Sequence, residues 1–411
     1  LKEKLIIKNF GPIKSVDLDL GKITVLIGEQ ATGKSTVAKV LAVCRYFSYI
    51  VNFSDKQNEL DKFTNNLQFS NGLKDWGIND YLKKDSEIIY ENHLYTFEFK
   101  TDHVIEHETL ATPNDLKKEF FETHTRIKAN SKSFEDLLNQ LFSLRKDEIE
   151  NDFFELLSWT PNENFFRLNV KKVMDNPLFV PAERGFQSLS VGKDSLLPDA
   201  ILDELAKINK IVRGYNTDID ITPLNIIFRN ENGLSKIKKS SNSDFHFLHL
   251  GASGYQSTIP VYLAVKFNND LKINKGRTII IEEPELNLFP LTQKKLVEFF
   301  IGSINQYDNQ FLLPTHSPYV LTTLSNLIYA HKIGSMGNGK FEKEVDSIIS
   351  KQAWINVNDI AVYYLNDGHP INMVNAEECI INLDNLDNVS EIINEEFDEL
   401  LNIELMDNSN G

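Results

Sequence analysis

The segment Gly28-Glu29-Gln30-Ala31-Thr32-Gly33-Lys34-Ser35, followed by Thr36, fits the spacing G-x-x-x-x-G-K-[ST]. A loop of this kind wraps phosphate: its glycines let backbone amides close around an anion, and the helix that follows adds the positive end of its dipole. In that geometry Lys34 reaches the outer phosphates and the Ser35 hydroxyl ligates a divalent cation, so the chemistry indicated is binding of a nucleoside triphosphate with Mg²⁺. An ordinary strand-to-helix turn is the competing reading of the same residues. Ile279-Ile280-Ile281-Glu282-Glu283 is an apolar run that ends in two carboxylates. One can hold a metal ion while the other orients and deprotonates an attacking water, a division of labour that has meaning only beside the phosphate loop. His316, in Pro314-Thr315-His316-Ser317, ends another apolar run, where an imidazole can donate to or polarise a terminal phosphate. Gly251-Ala252-Ser253-Gly254-Tyr255-Gln256-Ser257 precedes a helical stretch, and Ser253 and Gly254 either cap that helix or present a hydroxyl and amides to an anion.

The elements around these residues are of the kind the chemistry needs. Residues 4–9 and 22–27 read as strands, with Gly11-Pro12 and Gly21 as punctuation, and the second runs straight into the glycine loop. Alanines and apolar residues at helical spacing follow Ser35, which gives the order strand, loop, helix. Residues 51–175 change character: two short alternating stretches, SEIIYEN and LYTFEFK, suggest a hairpin, and a helical region over 114–159 follows without sustained heptads. From 178 the chain is strand-like again, with helices expected at 195–212 and 257–267. Apolar strands alternating with helices predict a parallel sheet covered on both faces. The chemistry-bearing pieces at both ends of this span therefore share one domain, with an insertion between them.

The net charge is -16, yet residues 352–411 hold 13 acidic residues and no Lys or Arg, leaving 46 acidic against 43 basic residues for 1–351. A near-neutral body gives little support to direct nucleic-acid binding, and the small cluster Lys236, Lys238 and Lys239 reads as a solvated loop. The acidic tail carries Ile392, Ile393, Phe397, Leu400 and Leu401 at helical spacing, which predicts a helix packing on its own protein, or else a segment that docks on a partner. Cys44 and Cys379 lie far apart without metal-type spacing and read as buried, inert thiols. With no run of about 18 apolar residues and no leader-like start, a cytoplasmic protein without membrane contact is expected.

In this order, the four motifs resemble the ATP-binding-cassette group of AAA-family ATPases, which includes SMC-like repair ATPases and the OLD-type ATPases of bacterial anti-phage defence. KNFGPIKSVDLDLGKITVLIGEQATGKST and IIIEEPELNLFP look especially like the OLD-type group. The resemblance implies an α/β fold: a P-loop NTPase head of the cassette type with a parallel core sheet, an antiparallel β subdomain and an inserted helical lobe. The ATPase domain would comprise 1–50 and 178–345, the insertion 51–177, and an acidic segment packing on the domain or a partner 346–411. It implies Glu283 as general base, Glu282 and Ser35 at the Mg²⁺, His316 as switch histidine, and Ser253-Gly254 as the signature that meets the ATP of a second copy in a homodimer. Glu282 stands where most of the group has Asp, and Tyr255 replaces a signature glycine. Gln187 is a candidate for the group's glutamine loop, and Arg184 is either a phosphate ligand or a structural partner. OLD-type nucleases carry a further cleaving module. The chain after His316, with Asp384 and Asp387, does not match one, so an effector such as a nuclease is expected as a separate chain. The function implied is an ATP-hydrolysing switch controlling that effector; an SMC-like clamp on nucleic acid and a nucleotide-locked scaffold are the alternatives.

Overall fold

The computed structural model describes residues 3–53, 66–92, 96–100, 177–185, 197–241, 244–270, 277–383 and 394–400. At its start, β1 (Glu3–Phe10) and β2 (Ile13–Leu20) pair antiparallel and turn Leu5, Ile7, Val16 and Leu18 to one buried face. The next strand, β3 (Ile23–Ile27), buries all five residues, which a strand does when both faces of its sheet are covered. It leads into the glycine loop and then α1 (Lys34–Phe53), as the sequence predicts. Helix α2 (Asn66–Asp75) follows, and then β4 (Leu82–Glu91) and β5 (Thr96–Lys100) form the expected hairpin. The hairpin is not part of a separate lobe: β4 pairs with β1, giving an antiparallel sheet in the order β2-β1-β4-β5, because Ile88 and Tyr90 are buried in the same core as Leu5 and Ile7.

The second half builds the main sheet. It supplies β6 (Leu178–Val180), α3 (Asp199–Gly214), and the short strands β7 (Ile219–Ile221), β8 (Ile226–Glu231), β9 (Leu234–Lys239) and β10 (His246–Phe247). Then come α4 (Ser253–Asp270), β11 (Thr278–Ile281), α5 (Pro290–Tyr307), β12 (Gln310–Thr315), α6 (Pro318–Ser335), α7 (Glu342–Ile348), β13 (Ile360–Asn366) and β14 (His369–Asn372). The six-stranded sheet runs β14-β13-β3-β12-β11-β6; every pairing is parallel except that of β14, so the fold is α/β with mixed sheets. The parallel register puts the C-terminal ends of β3, β12, β11 and β6 along one edge, where open α/β sheets bind ligands.

Two expectations change. Strand β13 lies beside β3 in the core sheet although it belongs to the acid-rich stretch after 345; Val362 and Leu365 are buried there, and packing overrides composition. Lys236, Lys238 and Lys239 are not in a loop but on β9, in an antiparallel sheet ordered β10-β9-β8-β7. Lys238 and Arg229 lie over Phe245, Lys236 lies over Phe247, and Lys236 and Arg229 pair with Glu231 and Asp218, so this charge is largely engaged within the protein. In the tail, residues 394–400 are helical and exposed, Phe397 and Leu400 included, while Ile392, Ile393 and Leu401 lie outside the described residues. Residues 114–159, Gln187, Asp384 and Asp387 lie outside the described residues. Cys44 is buried and its thiol is pushed up by that burial, whereas Cys379 is only half-buried. No helix among the described residues is long and apolar enough to cross a membrane.

Helix α5 is joined to the sheet by aromatic packing: Phe300 stacks on Phe311 of β12 with ring centroids 5.1 Å apart, and both are buried. Replacing Phe300 by Ala should cost about 3–5 kcal/mol of stability, because a cavity opens under the sheet. A thermal or denaturant melt checks this, and an unchanged midpoint would show that the helix is held elsewhere.

Candidate active site

The loop is shaped by approach of other backbone. Gly28 has φ +156°, and a Cβ there would lie 2.5 Å from the Leu365 carbonyl oxygen of β13, so only glycine fits. Ala31 takes the left-handed conformation (φ +61°), a strained one for a residue with a side chain. Glu29, Gln30 and Ala31 are exposed and Thr32 is half-buried, its hydroxyl donating to the Glu29 carbonyl at 2.9 Å. Gly33, Lys34 and Thr36 are buried, and Ser35 faces out between them. The Lys34 amine donates to the carbonyls of Gly28 (2.8 Å) and Glu29 (2.6 Å). Burial pulls it down from 10.5 to about 8, against the charges of Glu283 and Glu285.

Glu282 and Glu283 leave the end of β11 in different directions. The Glu282 amide donates to Val180 of β6 (3.0 Å) and the Glu283 amide to Pro314 of β12 (2.8 Å), so the corner is stretched between two neighbouring strands. Glu282 is 3 % exposed, accepts from the Ser35 hydroxyl, and lies 3.4 Å from the Ala182 amide through Oε2. Its Oε1 is buried with no partner among the described residues. Burial pushes its carboxyl above the ordinary range, opposed by the Ser35 hydrogen bond and the charge of Lys39. A buried carboxylate oxygen without a donor, beside a hydroxyl at the foot of a phosphate loop, fits a divalent cation. Glu283, with φ +45°, is strained and about one-third exposed, and its Oε1 lies 4.0 Å from His316 Nε2.

Arg184 decides its own role. It is fully buried and donates to four backbone carbonyls: Pro181 (3.1 Å), Ser257 (3.0 Å), Glu282 (2.6 Å) and Glu283 (2.6 Å). It is a structural clamp and not a phosphate ligand. Burial lowers it to about 10, so it stays charged at neutral pH, held there by Glu285, Glu283 and Glu282.

Ser253 starts α4 and is exposed, while Gly254 packs so closely that a Cβ would lie 2.7 Å from the Asn287 carbonyl oxygen. Ser257 donates to the Leu286 carbonyl (2.8 Å) and Gln256 to that of Gly251 (2.9 Å). These contacts tie the segment to 286–288 and leave Ser253 facing outward. The structure therefore gathers the loop, Glu282, Glu283 and His316 at one sheet edge, and sets Ser253-Gly254 beside the turn that follows them. Sequence reasoning passed over Glu285, whose Oε1 accepts the His316 backbone N–H at 2.7 Å. Pro284, which turns the chain just after the carboxylate pair, was the available signal.

A family model described as an AAA ATPase domain matches residues 2–189 and 197–321. No curated protein matches the chain. Among solved structures, an SMC head bound to the C-winged helix domain of ScpA is 12% identical and covers 90% of this chain and 96% of its own, at a TM-score of 0.34. The SMC head domain from Thermotoga maritima is 12% identical over 78% of this chain and 91% of its own, at a TM-score of 0.34. The recombination mediator RecF is 12% identical over 91% and 98%, at a TM-score of 0.32. Likenesses of that size add nothing to the family match.

Replacing Arg184 by Met should destabilise the protein by about 3–5 kcal/mol, because four buried carbonyls lose a charged donor together. A denaturant melt reads the loss; a shift below about 1 kcal/mol would mean that water replaces the guanidinium.

Proposed function

The chain belongs to the AAA ATPase domain family, and from that premise we propose that it is an ATP-binding and hydrolysing switch that dimerises around ATP and controls a separate effector, such as a nuclease, in bacterial anti-phage defence. The observation that carries the hydrolysis reading is the buried, unpartnered Oε1 of Glu282 beside Ser35, one residue from the strained and accessible Glu283. In this reading Ser35 and Glu282 hold Mg²⁺, which neutralises phosphate charge when bound. Lys34 exchanges the carbonyls of Gly28 and Glu29 for phosphate oxygens, and the amides of Glu29–Gly33 and Thr36 line the same cradle. Glu283 takes the proton of the attacking water, and His316 donates toward the terminal phosphate.

The dimer is supported by what the chain leaves exposed. Ser253 points outward, and Leu250, Phe289, Leu291 and Tyr319, each more than half exposed, adjoin the segments that carry Ser253, Glu283 and His316. A second copy closing over the nucleotide would cover them and bring its own Ser253 and Gly254 to the phosphates. ATP is then bound in full only by the closed pair, which lets it shift a conformational equilibrium. The defence role rests on the OLD-like stretches of sequence, and a cytoplasmic location accords with the ATPase family. The ATPase unit is drawn as 1–50 and 178–345, enlarged by β4, β5 and β13, with the remainder of 51–177 as the inserted lobe.

Two measurements test this. Glu283→Gln should lower turnover on the order of a hundredfold or more, and with ATP should raise the particle mass seen by light scattering. Wild-type turnover indistinguishable from background while ATP still binds would leave a scaffold in place of an enzyme. Affinity for ATP should fall as pH rises through about 8, where Lys34 loses its proton. The stability of the nucleotide-free protein runs the other way: the folded value lies below the unfolded 10.5, so the unfolded chain binds more protons between the two and stability rises with pH across that window. A titration with Lys34→Met as control checks both signs, and a flat profile would sink the assignment of Lys34.

A further inference from the structure

We infer that Glu285 is a positioning residue that holds His316 in register with Glu283. Its effect on turnover rests on the hydrolysis reading above; the contact itself does not. Strand β12 ends at Thr315, so the His316 amide is the first to leave the sheet. It finds its acceptor in Glu285 Oε1 at 2.7 Å, from the turn after β11. That turn is internally fixed: the Leu286 amide donates to the Glu283 carbonyl (3.0 Å) and the Leu288 amide to the Glu285 carbonyl (2.9 Å). One carboxylate therefore joins the ends of two adjacent strands, one carrying Glu283 and the other His316, whose reacting atoms lie 4.0 Å apart. The neighbouring residue is anchored differently: Ser317 donates to Gln293 of α5 (2.5 Å), and its amide donates to Thr315 Oγ1 (3.0 Å). Those bonds fix the start of α6, and the Glu285 bond fixes the histidine backbone against the turn.

A plain loop cap is the competing explanation, and it leaves two facts over. A neutral acceptor would satisfy the amide, yet a carboxylate stands here with its second oxygen, Oε2, buried and without a partner among the described residues. That carboxylate also acts on the two cations of the site, favouring the charged forms of both Lys34 and Arg184. Glu285 thus stands among the charged groups of the site, and its hydrogen bond to the histidine loop is the contact through which it sets the reacting pair. A misplacement of about 1 Å at such a pair costs up to a hundredfold in rate.

The test combines a nucleotide-free readout with kinetics. Hydrogen exchange followed by mass spectrometry on the peptide spanning residues 311–319 should speed up at His316 in Glu285→Ala and return to the wild-type rate in Glu285→Gln, which keeps an acceptor. In steady-state turnover, Glu285→Ala should lower kcat about tenfold to a hundredfold with KM changed by less than about threefold, and Glu285→Gln should recover most of it. Combining Glu285→Ala with His316→Ala should cost no more than His316→Ala alone, since the carboxylate acts through the histidine. Unchanged exchange in Glu285→Ala, or losses in kcat that multiply in the double variant, overturns the inference. If Glu285→Ala fails to fold, Glu285→Asp, one methylene too short to reach the amide, carries the same comparison. A wild type with no turnover would instead overturn the hydrolysis reading, and the exchange result would then decide the Glu285 contact by itself.

Discussion

A guanidinium with no water around it must find hydrogen-bond acceptors within the protein, and Arg184 finds them in the backbone of three separate stretches. Its four carbonyl partners come from the turn after β6, the first turns of α4 and the corner after β11. Such an arrangement fixes the path of each stretch relative to the others without using a single side-chain acceptor. The corner it grips is the one where Glu283 is held at φ +45°, a conformation that persists when its surroundings overdetermine it. The three carboxylates of the corner keep the guanidinium charged, and the guanidinium in turn lets three acidic side chains converge on a small volume. Charge balance and backbone geometry at the site are thus one constraint.

The same clamp connects the carboxylate corner to the helix that presents Ser253. Ser257, which supplies one of the carbonyls, belongs to the helix that presents Ser253, and it also donates to Leu286 in the turn beyond Glu283. Gly254 meets the same turn at Asn287. The carboxylate corner and the outward-facing end of α4 are thus joined by contiguous packed backbone.

The parts of the site whose chemistry demands a local pattern were legible in the sequence: a loop that wraps phosphate needs glycines at fixed spacing, and an apolar run ending in carboxylates needs no distant partner to be noticed. The parts made by convergence were not. Arg184 reads equally as ligand or scaffold until its four carbonyls are in view, and Glu285 looks like one more acid in an acidic chain until Pro284 turns it back toward His316. The fold divides in the same way. Fully buried strands such as β3 and β11 announce themselves as apolar runs, whereas β8 and β9 alternate buried residues with less buried ones, charged residues among them. Strand β13 was hidden by the acidic composition around it, although Ile360, Val362, Tyr363 and Leu365 are all buried in it. Composition over sixty residues describes solvent exposure on average and says little about one strand within it.

The place of β13 bears on how the protein is made. Strand β3, which leads into the glycine loop, has Phe311 beside Ile23 on one side and Ile360 on the other. Neither edge of that strand can be covered until the ribosome has delivered residues far down the chain, and both must be covered before Gly28 is set against Leu365. The first strands to emerge can pair among themselves as β1, β2, β4 and β5, but β3, which ends up buried along its whole length, waits with its hydrogen-bonding edges open, the state in which nascent chains are most exposed to wrong pairing. Gly28 therefore meets its neighbour only after residue 365 has emerged, and a nascent chain shorter than that carries the glycine motif without this part of its frame.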